Sequence, residues 1–337
     1  MPRYDTGLVI GKFLPLHKGH VAMMRAAKAI SEHLYVIVCH TEGYEIPAET
    51  RRAWIERECP RAQVSIIEHD KALDSASPSM AQQWANLTFS HLGMYPDVVV
   101  SSEDYGPAYA AWLGADHIMF DRERARFPIS GTQIRENPRG HWGMLSYGAK
   151  AYYAKRVVVL GAESTGTTTL AMDLAKRLGT TWVPEYGRAF YEGKMFSGDA
   201  SSWNEDDFVH IAWMQNASED KLAETCREFL ICDTDAFATS VWFTRYVGGR
   251  SERVEQLAED RHPHLYIVTD PDIPFVQDGT RDGEHIRQWM HSYLLERLSA
   301  TGREFIVVRG TRDERIDQSL VVLKCQTFCQ ACEAQPS

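Results

Sequence analysis

Leu8-Val9-Ile10-Gly11-Lys12-Phe13-Leu14-Pro15-Leu16-His17-Lys18-Gly19-His20 is an apolar run that ends on a glycine and passes into a basic, histidine-bearing turn. The same plan returns at mid-chain in Val157-Val158-Val159-Leu160-Gly161-Ala162-Glu163-Ser164-Thr165-Gly166-Thr167-Thr168-Thr169. A short buried strand, a glycine-bearing turn and a following helix point backbone N–H groups and the positive end of a helix at an anion. Two such units in one chain imply two nucleotide phosphate sites.

Outward from the first turn, strand patterns at Gly7–Phe13, Leu34–Val38, Val64–Glu68, Asp97–Ser101 and His117–Phe120 alternate with helical ones at His20–Ser31, Glu49–Glu58, Met80–His91 and Pro107–Leu113. Outward from the second, strands are expected at Arg156–Leu160, Phe229–Cys232, His264–Thr269 and Phe305–Val308, again with helices between. This alternation predicts an α/β chain of two parallel-sheet domains, the first a Rossmann-like doubly wound sheet. The domains are expected at 1–150 and 155–337, joined by a linker at Tyr147–Lys155. There is no internal repeat and no low-complexity tract.

Composition agrees. At 337 residues, 44% hydrophobic and 24% charged, the chain has mass for two ordinary cores. A net charge of -10 argues against a broad nucleic-acid-binding face, so anionic ligands must be held by local groups. No apolar run reaches the ~18 residues of a membrane span, and the start lacks a signal-peptide core, so the expected location is the cytoplasm. Seven cysteines without a secretory signal read as free thiols, with Cys39, Cys59, Cys226 and Cys232 in the core. Cys325, Cys329 and Cys332 match the spacing of an iron–sulfur motif, but five residues follow them and no barrel does. Packing on a terminal helix is the expected role.

The first turn, with its paired histidines, resembles that of nucleotidyltransferases, and the resemblance implies adenylyl transfer. When a phosphate oxygen attacks the α-phosphorus of ATP, charge builds on nonbridging oxygens, and hydrogen-bond donors suffice to meet it. His17 and His20 at a helix start are such donors, beside Gly11, Lys12 and Phe13, and Gly19 permits close approach. A second element, Ile129-Ser130-Gly131-Thr132-Gln133-Ile134-Arg135, closes the domain, and Ser130, Gly131, Thr132 and the planar fork of Arg135 suit the pyrophosphate half. Taken singly, the histidines read equally as caps and Ser-Gly-Thr as a turn; the two in order favour the phosphate reading. Together they resemble the nucleotidyltransferase superfamily with its His-x-Gly-His and Ser-x-Thr-x-Ile-Arg elements.

The second turn satisfies the P-loop pattern except at its lysine, where Thr167 stands. Gly161, Glu163, Ser164, Thr165, Gly166, Thr167, Thr168 and Thr169 are expected around the ATP phosphates. Thr168 and Asp233, the acid that ends Phe229-Leu230-Ile231-Cys232, are the expected Mg²⁺ ligands. The missing lysine leaves a charge to be supplied, for which Arg281 and Arg287 are the candidates.

The whole chain resembles the bifunctional NadR-like family, nicotinamide-nucleotide adenylyltransferase joined to ribosylnicotinamide kinase. The resemblance runs through Gly-Ala-Glu-Ser-Thr-Gly, Pro184-Glu185-Tyr186-Gly187-Arg188, Trp203 with Asp206-Asp207-Phe208, Cys232-Asp233-Thr234-Asp235, and Asp272-Ile273-Pro274-Phe275. It implies a nucleotidyltransferase sheet followed by a nucleoside-kinase-like one, with ATP, NMN, NAD and ribosylnicotinamide as small-molecule partners. It also implies His17, His20, Arg135, Asp233 and Glu185 as catalytic residues, and Trp84, Tyr186, Arg188, Trp203 and Asp235 at the substrates. Tyr186 and Trp203 read equally as core, and Asp206 and Asp207 as charges at a helix start. The helix-turn-helix repressor domain of better-known relatives is expected to be absent. Two alternatives stay open: an adenylyltransferase whose second domain only senses nucleotide, and another transferase of the His-x-Gly-His superfamily. Oligomeric state and the choice between NMN and nicotinate mononucleotide are not legible.

Overall fold

The computed structural model describes residues 2–74, 80–198, 202–259, 261–277 and 283–333, with side chains in the last stretch described to residue 324. Contacts divide the chain into two compact units, Met1–Lys150 and Ala151–Ser337.

In the first unit five parallel strands, β1 (Tyr4–Gly11), β2 (Ser31–His40), β3 (Ala62–Glu68), β4 (Val98–Ser101) and β5 (Asp116–Met119), stand in the order β3-β2-β1-β4-β5. Helices α1 (Lys18–Ile30), α2 (Ala48–Glu58), α3 (Ala81–Leu92) and α4 (Gly106–Trp112) make the crossovers. A parallel sheet covered on both faces buries both sides of its strands, which is why Leu8, Val9, Val36, Ile37, Val98 and Val99 are consecutive apolar residues and wholly buried. Each such side chain contributes about 1.5–3 kcal/mol by leaving water. The chain runs outward from β1 to β3 and then returns to β4 on the far side, so the crevice beyond the ends of β1 and β4 is the switch point where ligands bind in such sheets. α5 (Gly131–Glu136) and α6 (Tyr147–Tyr153) follow.

The stretch expected to be a linker is instead mostly helical. α6 covers Tyr147–Tyr153, and Gly148 lies so close to Trp54 that a Cβ would sit 2.2 Å from the indole. Ala149 is fully buried. The tyrosines and the glycine, read as polar punctuation, form a packed helical turn.

The second unit has β6 (Lys155–Gly161), β7 (Trp182–Val183), β8 (Phe229–Asp233), β9 (Leu265–Thr269) and β10 (Phe305–Val308) in the order β10-β9-β6-β8-β7, all parallel. α7 (Thr167–Leu178), α8 (Tyr186–Ser197), α9 (Glu205–Ala223), α10 (Ala236–Tyr246), α11 (Glu252–Glu259), α12 (Arg287–Ala300) and α13 (Arg312–Glu333) surround it. α7 buries Leu170, Ala171, Leu174 and Ala175 against Val157, Val159 and Ile231, and Gly179 at φ 60° ends it where an L side chain would be strained. β6 is central, so its Gly161 end opens among the ends of β8 and β9. Cys39, Cys59, Cys226 and Cys232 are buried free thiols. The three C-terminal cysteines lie on α13, beyond the described side chains. Among the described residues no helix is long and apolar enough to cross a membrane.

Candidate nucleotide sites

The first unit holds a cavity of about 460 Å³ at the β1–β4 crevice. Its lining includes Gly11, Lys12, Phe13, His17, Gly19 and His20 from the first turn and Ser130, Gly131, Thr132 and Arg135 from the second element. His17 is the N-cap of α1, in extended backbone, so its ring and that of His20 one turn later share one face. The rings stack with centroids 3.6 Å apart, and the edge of Phe13 meets His20 at 5.1 Å. Burial, aided by the nearby Arg124 charge, pushes His17 down to about 4. Burial, then His17, then Arg124 push His20 well below the usual histidine range. Both rings are therefore neutral near pH 7, and the buried Nδ1 of each has no hydrogen-bond partner among the described residues. Gly19 leaves room that a Cβ would take, 3.0 Å from the His17 ring.

The histidine turn and the Ser130–Arg135 element are tied together. Arg135 donates from Nη1 to the Leu14 carbonyl at 2.5 Å and from Nη2 to Thr132 Oγ1 at 3.2 Å. A Cβ on Gly131 would lie 2.5 Å from that same Leu14 oxygen. Ser130 is committed to the start of α5: its Oγ accepts from Gln133 N, and Gln133 Oε1 accepts from Ser130 N. Ser130 thus sets the loop, and it lines the cavity with Thr132 and Arg135.

Also lining the cavity, Asp74 accepts from Tyr44 at 2.6 Å and contacts His69 and Lys12 at 2.9 Å each. Burial would raise its carboxyl, but the hydrogen bonds from His69, Tyr44 and Lys12 outweigh it and hold it at about 2. Trp84 lines it too, its Nε1 on the Leu73 carbonyl and its ring 4.8 Å from His69. Asp74 and Arg124 are cavity residues that the sequence does not announce. Arg124 sits in the charged run Asp121–Arg126, which reads as a solvated loop, and Asp74 in a short acidic-basic stretch.

The second unit holds a cavity of about 190 Å³, lined by Glu163, Ser164, Gly166, Thr167, Thr168 and Thr169 of the turn and by Glu185, Arg188, Tyr191, Trp203 and Trp242. Glu185 is the N-cap of α8 and Arg188 lies in its first turn. Trp203 sits in an aromatic group, stacked on Tyr191 at 5.9 Å and 5.3 Å from Tyr246. Burial raises Asp233 to about 6, against hydrogen bonds from Thr168 and Thr167 and the charge of Arg188. The hydroxyl of Thr168 and the carboxylate of Asp233, both hard oxygen donors in contact, fit Mg²⁺, which needs few protein ligands when phosphates and water complete its shell. Among the described residues no group of three or more His, Cys, Asp or Glu could hold a metal by itself.

Several expected contacts fall elsewhere. Asp235 is 2% exposed, caps α10 by accepting from Ala238 N and takes the Tyr266 hydroxyl at 2.6 Å, so both its oxygens are structural. Tyr186 does not line the cavity; its hydroxyl meets His210 Nε2 at 3.2 Å. Thr165 is buried, bonded to the Ala162 carbonyl and to Thr269, which leaves its backbone rather than its hydroxyl for a phosphate. Arg287 is no unattached lid charge: Nε and both Nη atoms donate to the carbonyls of Glu163, Ser164 and Ile273. Asp207 closes a capping box with Asn204 and pairs with Lys194, so it serves the start of α9. Arg281 lies outside the described residues.

Residues 156–315 match a family model described as an AAA domain. The chain is 27% identical over 324 residues to the trifunctional NAD biosynthesis/regulator protein NadR of Salmonella typhimurium, covering 90% of this chain and 79% of that protein. An alignment of 338 residues with the protein of the same name from Escherichia coli gives 27% identity, with 95% and 81% covered. A crystal structure of NadR protein in complex with NR superposes with a TM-score of 0.73 at 23% identity, covering 93% of this chain and 94% of that one. One in complex with NAD and AMP-PNP gives 0.70 at the same identity and coverage. In sequence along both units the chain is similar to these NadR proteins, and it shares the fold of the two solved NadR structures.

Proposed function

We propose that the first unit joins NMN to the adenylyl group of ATP, giving NAD and pyrophosphate. The carrying observation is the stacked, neutral His17–His20 pair at the mouth of α1, with Arg124 and Arg135 lining the same cavity. A phosphate oxygen of NMN attacks the α-phosphorus, the bond to the α–β bridging oxygen breaks, and pyrophosphate leaves with that electron pair. No protein nucleophile or base is required. Neutral imidazoles donate N–H bonds to the α-phosphate oxygens as their charge grows, and fixed donors of this kind cost no reorganisation at the moment of reaction. Lys12, Thr132 and Arg135 hold the outer phosphates, and Trp84 offers its face to the nicotinamide ring. The names of the relatives and the NAD in one related structure support this reading. The test is incubation of the full chain with ATP, Mg²⁺ and NMN: equimolar NAD and pyrophosphate are expected, and their absence sinks the assignment.

For the second unit we infer ATP-dependent phosphorylation of ribosylnicotinamide to NMN, which would feed the first. The presence of Glu185, Arg188 and Trp203 in one cavity with the glycine-rich turn supports this over a site that only senses nucleotide, as does the NR in a related structure. In this reading the substrate hydroxyl gives its proton to Glu185 as it attacks the γ-phosphorus and ADP leaves. Mg²⁺, when bound by Thr168 and Asp233, neutralises phosphate charge. NMN formation from ribosylnicotinamide and ATP is the direct assay. A cytoplasmic location goes with both activities.

A further inference from the structure

Four arginines surround the Gly161–Thr168 turn, and the structure gives them different work. Arg287, at the start of α12, donates to the carbonyls of Glu163 at 3.1 Å and Ser164 at 3.2 Å. Arg315, in the first turn of α13, donates to the Thr165 carbonyl at 2.6 Å and is ion-paired with Asp272. Three successive carbonyls of the turn are thus drawn outward onto guanidinium groups. A trans peptide presents its N–H opposite its C=O, so the N–H groups that follow face the other way, toward the cavity. Arg245 is ion-paired with Glu163, whose other carboxylate oxygen accepts from Gly283 N at 2.7 Å. Among the described residues, Arg188 is the one of the four that lines the cavity, together with Gly166, Thr167 and Thr168. It is exposed, and its charge is felt by Asp233, the buried acid that accepts from Thr168. Thr167, where a P-loop carries lysine, instead gives its hydroxyl to Asp233.

We propose that Arg188 replaces the missing lysine, meeting the terminal phosphoryl group of ATP from α8 rather than from the turn, while Arg287 and Arg315 are positioning residues that hold the turn open to phosphate by its carbonyls. This rests on the kinase reading for its chemistry. As the ribosylnicotinamide hydroxyl oxygen bonds to the γ-phosphorus, the β–γ bridging bond breaks, ADP takes the electron pair and the hydroxyl proton passes to Glu185. Arg188 stabilises the charge on the γ-oxygens throughout. Its planar fork can span two phosphate oxygens, which the point charge of a lysine does not.

The test uses the full chain as wild type, Arg188→Ala, Arg188→Lys and Arg188→Ala/Thr167→Lys, with adenylyl transfer as the folding control. Ribosylnicotinamide phosphorylation should fall about 10²- to 10³-fold in turnover for Arg188→Ala. It should recover at least about tenfold in either lysine-bearing variant, a rescue that a purely structural role would not give. ATP and ADP affinities are measured in parallel by two-site calorimetric titration, the first-unit site being common to every variant. ATP should weaken about tenfold at the second site in Arg188→Ala and ADP by less than about threefold, since the lost contact is to the third phosphate. If wild type makes no NMN, the kinase reading fails and the ATP-to-ADP ratio decides Arg188. An unchanged ratio, or turnover of Arg188→Ala within about threefold of wild type, overturns the proposal.

Discussion

The imidazoles of His17 and His20 lie face to face, their centroids 3.6 Å apart and their planes 24° from parallel. Two such rings in a buried site cannot both be cations, and burial with Arg124 nearby keeps them neutral. The pair is thus a fixed set of uncharged donors rather than an acid–base couple.

Adenylyl transfer should accordingly show no histidine limb near pH 6.5. His17 titrates at about 4, so the neutral form is lost only as pH falls through that value, and turnover should stay level from about pH 9 to about pH 5. Stability behaves differently: below pH 6.5 the unfolded chain binds protons that the folded rings refuse, so the first unit should weaken as pH falls from 6.5 toward 4. His20→Ala should lower kcat by about 10²- to 10³-fold while the KM for NMN moves by less than about threefold. A limb between pH 6 and 7 that disappears in His17→Asn contradicts the neutral pair.

Gly131 tests the tie between the histidine turn and the Ser130–Arg135 element. Its missing side chain leaves the Leu14 carbonyl open to Arg135, and a Cβ there would come within 2.5 Å of that oxygen. Gly131→Ala should displace the loop, costing about 1–3 kcal/mol of stability and raising the KM for ATP more than that for NMN. Calorimetry and steady-state kinetics read the two effects; equal changes in both KM values would place the defect elsewhere.

What the sequence made legible is what backbone chemistry fixes. Val9 and Val158 announce buried parallel strands, and Gly11, Gly19, Gly161 and Gly166 announce turns that approach a ligand. Long-range side-chain commitments were not legible. Asp235 follows an acid-ended strand as a substrate ligand would, yet its partner Tyr266 stands 31 residues away and makes it a buried cap. Arg287 reads as an available charge until the carbonyls it binds, more than a hundred residues earlier, are known. Asp74 and Arg124 were missed because a charged residue in a charged loop carries no periodic signal. β7, two residues long, gives too short an alternation to read.

The end of the first unit should tolerate one cut and not another. Leu145 bridges to His17, Ser146 N donates to the Leu16 carbonyl at 3.3 Å, and Gly148 packs on Trp54, so residues 145–149 brace the histidine turn. A fragment of residues 1–154 should fold and retain adenylyl transfer, whereas residues 1–144 should lose it by more than about tenfold even where the sheet persists. Comparable activity in the shorter fragment would falsify the bracing role.

Glu219 on α9 sets a pH dependence in the second unit. It is 1% exposed; burial, then repulsion from Asp235, raise its carboxyl to about 8, although Arg156, with Nε at 3.6 Å, and Arg261 oppose this while Asp220 adds to it. In the unfolded chain the same group titrates near 4.3. Between these values the folded state holds a proton that the unfolded state has released, so stability is greatest at the acid end and falls as pH rises toward 8. Glu219→Gln, which keeps the shape and cannot ionise, should leave the calorimetric transition of the second unit nearly unchanged at pH 4. At pH 8.5 it should raise the stability of that unit by on the order of 1–3 kcal/mol. If Glu219→Gln destabilises equally at both pH values, the carboxylate is paired with Arg156 as an ion throughout, and the protonated form has no part in the fold.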